Sequence, residues 1–263
     1  MKNPLLRSNK IKRYIKEGRG QGTGKNYIPW TKTYSREFSS KGRVTRVMGV
    51  KTQRIHYLQS DNQYRAFLTF EFCPAVIDIR ESFPLLDVYE IIDEIDDLRF
   101  DKFRDKGTKE PYALTTNFLL TVNQNDDKRL IARSIKNVSE LNRKITWEKL
   151  EIERRYWAAR NIDWKLITNK ELSNQRAKNI EWVRETLFED RLVIDDELTE
   201  KLFQHCLQNR QHNLRGVLSA FDNRESLNKG TALYLFRYLV ATNQLKINMH
   251  QPIQFNKKVQ ELF

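Results

Sequence analysis

Residues 117–136, NFLLTVNQNDDKRLIARSIK, set polar side chains at strand spacing. Ser134 and Lys136 are two apart, so on a strand they share one face while Ile135 takes the other. Asn117 opens the preceding apolar run of Phe118, Leu119, Leu120 and Val122. By spacing alone the pattern is weak, and an ordinary surface hairpin carries it as well. A second stretch, GRGQGTGK, places Gly18, Gly20, Gly22 and Gly24 at alternate positions. It is not a P-loop, because Arg19 and Asn26 stand where that motif needs Gly and Ser or Thr. It reads as a flexible basic arm whose amides can approach phosphates, or as a plain linker. Residues 87–105 carry eight acids. They read as a solvated, mobile insertion, with a carboxylate-metal site as the rival. Cys73, Cys206 and the four histidines show no metal-ligand spacing, so the cysteines read as reduced, buried thiols.

The charge is distributed unevenly. The net charge is +13, yet residues 1–54 hold 15 Lys or Arg against Glu17 and Glu37, and the remainder is balanced. A concentrated basic segment is what phosphate-backbone binding needs, because each neutralised phosphate releases counterions. Lys12, Arg13, Lys16, Arg19, Lys25, Arg43, Arg46, Lys51 and Arg54 are the candidate DNA-binding residues. A solvated basic tail is the plainer alternative. No apolar run is long enough to span a membrane, and the first residues lack a signal-peptide core, so a cytoplasmic protein is expected.

The elements that must position these residues follow from periodicity. Residues 9–17 predict a short helix stopped by Gly18, and Tyr27–Trp30 should pack on the domain. Residues 43–58 predict a hairpin turning near Gly49–Thr52. Ser60-Asp61-Asn62 starts a helix over 61–73, with Gln63 in its first turn and Pro74 beyond it. Residues 76–80 form a short strand, and residues 117–136 two strands about a polar turn at 123–129. A helix over 146–160, capped by Thr146, puts Leu150, Trp157 and Trp147 on one side and pairs Glu151 with Arg155. Residues 164–167 alternate as a last strand. This is an α/β layer around a central sheet. Beyond about residue 170 the period turns helical, marked by Ile180, Val183 and Leu187, then Leu198, Leu202 and Cys206, then Leu214 and Phe221, then residues 229–242. Residues 245–255 read as a terminal hairpin, giving a winged-helix-like module. The expected domains are 1–170, with a basic arm over 1–54, and 171–263.

The strand pair at 117–136 resembles the core of restriction-type nucleases, where acids hold Mg²⁺ and a lysine steadies the attacked phosphate. Further stretches resemble the TnsA family, endonuclease subunits of Tn-seven-type heteromeric transposases. They are IKEGRGQGTGKNYIPW, KTQRIHYLQSD, VIDIRESFPLL, EKLEIERRYW and NIEWV, spread over residues 14–183. The resemblance implies a restriction-endonuclease-like N-terminal domain, a winged-helix C-terminal domain, and cleavage of the 5′ strands at transposon ends. Implied partners are end DNA, a TnsB-like DDE recombinase and a TnsC-like ATPase regulator, at the bacterial nucleoid. The family's helix Glu falls on Gln63, its strand Asp on Asn117, its Gln on Ser134 and its Lys on Lys136. Both acids are therefore amides, which keep a carbonyl oxygen and lose the charge that offsets dehydrating Mg²⁺. Weak or absent Mg²⁺ binding is expected, with Gln63 and Asn117 as poor ligands. The chain then reads as a pseudo-nuclease kept for binding DNA and partners, an intact TnsA-like subunit being one such partner. The alternative is an active Mg²⁺-dependent endonuclease with substitute ligands among Asp61, Glu71, Asp78 and Glu148.

Overall fold

The computed structural model describes residues 3–32, 43–105, 107–188 and 195–263. Residues 33–42 of the basic segment thus lie outside the described residues. The chain divides into two compact units, Met1–Leu172 and Ser173–Phe263.

The first unit opens with α1 (Asn9–Lys16), whose Ile11 and Tyr14 are buried. Gly18 follows with φ 73° and ends the helix, as glycine does beyond a helix C-terminus. The glycine segment is a folded loop rather than the free arm its composition suggests. Gly20 has φ 76°, and a Cβ there would lie 2.3 Å from Cγ of Pro84. Gly22 has φ 86°, and its Cβ would meet the carbonyl of Asn26. Tyr27 and Trp30 are buried behind it, with the Tyr27 hydroxyl donating to the Glu81 carbonyl.

Strands β1 (Thr45–Met48) and β2 (Ile55–Leu58) form the predicted hairpin. α2 (Asp61–Phe72) starts at Ser60, whose hydroxyl accepts from the Gln63 amide. β3 (Val76–Pro84), β4 (Thr115–Gln124), β5 (Asp127–Lys136) and β6 (Asp163–Thr168) make one sheet in that order. β3, β4 and β5 run antiparallel, and β6 lies parallel to β5. β3 is longer than the predicted 76–80, because Glu81 to Pro84 continue pairing with β4. The polar turn is also tighter than 123–129. Asn125 and Asp126 both take positive φ, the two-residue turn that matches strand twist.

α3 (Val88–Ile91) falls in the acid-rich segment, which corrects the reading of a solvated insertion. Val88, Ile92, Leu98 and Phe103 are buried in the main core, and Asp87 and Asp97 pair with Arg160 and Arg155. α4 (Lys144–Ala159) packs Ile152, Tyr156 and Trp157 with Leu119 and Ala132 in that same core. The helix starts two residues before Thr146, and Arg143 at its cap position makes no side-chain cap. Trp147 is exposed, not on the buried side with Leu150 and Trp157.

The second unit holds α5 (Asn174–Arg184), α6 (Asp196–Gln208), α7 (Leu214–Arg224) and α8 (Thr231–Ala241). Leu202, Cys206, Val217, Phe221, Phe236 and Leu239 are buried there. Asp222 of α7 accepts the amides of Gly230 and Ala232, closing the start of α8. Residues 245–255 form no strand ladder among the described residues. The Leu245 amide bonds back to the Leu239 carbonyl and that of Asn248 to Leu262, so the segment folds onto its own unit instead of pairing as a hairpin.

Candidate functional site

The β4–β5 ladder ends at Phe118–Arg133, and beyond it Ser134 to Lys136 pair with β6 alone. The polar residues singled out above sit where these strands part. Asn117 crosses the gap, its Oδ1 accepting the Ile135 amide at 2.7 Å, so a side-chain carbonyl stands in for a ladder bond. On the other side of β4, Ser82 lies between the pairs Glu81–Phe118 and Phe83–Thr116 and takes φ 49°. Its hydroxyl accepts from Nε2 of Gln59 at 3.0 Å. The Gln59 amide in turn donates to Oε1 of Gln63 at 2.9 Å. Gln63 thereby folds back over the start of α2, much as the glutamine of a capping box does. A line of polar contacts thus runs from Gln63 toward Asn117.

Beside Ser134 the structure brings in an acid that sequence reasoning missed. Glu153 of α4 is buried and accepts from the hydroxyls of Ser134 and Thr116, the latter at 3.0 Å. Ser134 Oγ also accepts from Trp164 Nε1, and Thr116 Oγ1 from Trp157 Nε1. Lys149 lies 3.5 Å from Oε1 of Glu153 and donates to the Thr115 carbonyl at 2.9 Å. The charge of Lys149 also reaches Lys136 at the end of β5. Burial lowers the Lys136 pKa, and the charge of Lys149 lowers it further, while Glu153 and Glu140 oppose this. Among the described residues the Lys136 amine makes no hydrogen bond or ion pair. Glu153 was detectable in principle: it falls one residue after buried Ile152 and three before buried Tyr156, and an acid there needs a partner.

This donor set fits a divalent cation poorly. Both amide carbonyls are taken by backbone amides, and the one carboxylate is shared by two hydroxyls and a lysine. Lys136 and Lys149 face Glu153, and Glu140, the other acid acting on Lys136, is already bonded to the Asn137 amide, so the site suits an anion. Two of the substitute acids are occupied elsewhere, and among the described residues no contact brings the other two to the junction. Glu71 accepts the Val50 amide, Asp78 accepts the Gly24 amide and lies beside Arg80, and Asp61 starts α2. Glu148 is half-buried on α4. No three His, Cys, Asp or Glu side chains gather into a metal-binding group among the described residues.

The basic candidates divide by placement. Lys12, Arg13, Lys16, Lys25, Arg43 and Arg46 are exposed. Three others hold the fold. Arg19 lies 3.6 Å over the Tyr14 ring and pairs with Glu17. Lys51 donates to the carbonyls of Cys73 and Val76 at the end of α2, and burial lowers its pKa. Arg54 makes two hydrogen bonds to the buried Glu81 carboxylate, which also meets Nδ1 of His56. Burial pushes Glu81 up, but His56 and Arg54 outweigh it and hold the carboxyl at about 2.

Comparison with known proteins agrees with this architecture. Residues 73–169 match the family described as TnsA-like endonuclease N terminal, and residues 171–249 match TnsA endonuclease C terminal. The transposon Tn7 transposition protein TnsA of Escherichia coli is 35% identical over 258 residues, covering 94% of this chain and 88% of that protein.

Proposed function

The chain belongs to the TnsA endonuclease family, and we propose that it serves a transposon-end complex as a DNA- and partner-binding subunit with weak or no cleavage of its own. The observation that carries this reading is the composition of the strand junction. Gln63 and Asn117 spend their carbonyls on backbone amides, while Lys136 and Lys149 outnumber Glu153. Hydrolysis of a phosphodiester by metal-activated water needs anionic oxygen ligands that hold the ion. Lys136, left without such an ion, holds a backbone phosphate. The exposed basic residues of the first 54 supply sequence-independent affinity, and a TnsB-like recombinase supplies the end sequence. The second unit serves as a helical platform for a TnsC-like ATPase regulator, and an intact nuclease subunit can pair with the chain. It acts on nucleoid DNA in the bacterial cytoplasm.

The test is cleavage of end DNA by the chain with its recombinase in Mg²⁺ or Mn²⁺. Little or no 5′ cutting is expected. Gln63→Glu with Asn117→Asp should raise it, and adding Lys136→Ala should remove that gain. One observation favours the second reading, an active Mg²⁺-dependent endonuclease: Glu153 is a carboxylate already in place beside Ser134. On that reading the unaltered chain cuts well and Glu153→Gln abolishes cutting.

A further inference from the structure

The start of α4 presents an exposed aromatic surface. Trp147 is 52% exposed and Ile145 42% exposed, although Leu150 and Trp157 of the same helix are buried. The indole is not loosely placed. Its Nε1 donates to the Leu141 carbonyl at 2.6 Å, which fixes the ring and leaves its surface open. Leu141 belongs to the 3-10 turn Val138–Asn142 that directly follows Lys136 and Asn137. Arg143 and Lys144, both exposed, precede the tryptophan, and Lys149 follows it. The nearby acids are Glu140, which accepts the Asn137 amide at the start of its own turn, and Glu148. Lys144 lies one helical turn before the fixed ring, and Glu151, one turn after it, is already paired with Arg154 and Arg155.

We propose that Trp147 is a stacking platform for an unpaired base of end DNA, with the exposed Arg143 and Lys144 holding the adjoining backbone phosphates. Single strands are bound by this combination of aromatic face and positive charge, because every base has a π-face to stack. A protein-docking tryptophan would instead sit in an apolar setting depleted of lysine. The inference rests on the DNA-binding reading above and adds the form of DNA recognised.

The full-length chain is titrated against a labelled duplex with a short 5′ overhang and against the same duplex made blunt. Trp147→Ala should weaken binding to the overhang roughly tenfold, about the worth of one stacked base, and leave blunt binding unchanged. Trp147→Phe should restore most of the loss, since a ring remains. Equal affinity of Trp147→Ala and the unaltered chain for the overhang overturns the proposal alone. So does an equal loss on both duplexes, which marks a general structural role. Failure of the unaltered chain to bind either duplex overturns the DNA-binding reading as well. Should Trp147→Ala leave both DNA affinities intact but lose recombinase binding, the surface belongs to a protein partner.

Discussion

Lys136 is a charge placed against the interest of the fold. It is largely buried beside Lys149, and its pKa falls below the ordinary lysine value of 10.5. The unfolded chain therefore holds this proton more tightly than the folded one. Between the folded and unfolded pKa values stability rises with pH, and at neutral pH the group costs stability. Lys136→Met should raise thermal stability at pH 7, by about 1 kcal/mol, while weakening DNA binding. A thermal melt together with a DNA titration checks both signs. Lower stability with unchanged affinity would make Lys136 a structural residue. Legibility at this scale was mixed. Ser134 and Lys136 announce a shared face by simple alternation. Glu153 is signalled only by its place between Ile152 and Tyr156, because glutamates on a helix usually read as solvent-facing, and its partners Ser134 and Thr116 are far away in sequence.

Among elements, the glycine loop and β3 depend on each other. The loop is tied to the strand by Gly24 to Asp78, Trp30 to Ser82 and the close approach of Gly20 to Pro84. Gly20→Ala would add a Cβ 2.3 Å from Pro84 at φ 76°. The left-handed backbone alone costs about 1–2 kcal/mol for an L-residue, and displacement of Pro84 adds to it. A melting temperature several degrees lower is expected. An unchanged melt would show that the loop is not packed as described. The alternate glycines suggested freedom because local composition says nothing of a distant strand end. The strands at 117–136 were legible from their apolar runs, although a two-residue turn at Asn125-Asp126 looked like a seven-residue one because its flanks are polar. The acid-rich segment misled for the opposite reason. Its charges outnumber Val88, Ile92, Leu98 and Phe103, whose spacing fits neither a helix nor a strand.

On the scale of the whole molecule, the described basic residues of the first 32 are carried on a folded surface. Leu5, Ile11 and Tyr14 belong to the core of the first unit, so deleting the N-terminus would confound charge with stability. Exchanging Lys12, Arg13, Lys16 and Lys25 for Gln avoids this, because all four are exposed. The log K against log salt slope should flatten by roughly 0.9 for each phosphate no longer neutralised, with little change in melting. An unchanged slope would move the DNA surface elsewhere. The helices of the second unit were legible from their apolar spacing. The alternation of Leu245 and Ile247 was too short to distinguish a wing from a segment folded on the helices.

The central claim is that the strand junction favours a phosphate over a divalent cation. Its most direct measurement is 5′-end cleavage, in Mg²⁺ and with the recombinase, by the unaltered chain and by Gln63→Glu with Asn117→Asp. Slow or no cutting is expected of the first and faster cutting of the second, abolished again with Lys136→Ala. Equal, rapid cutting by the unaltered and doubly substituted chains would contradict it.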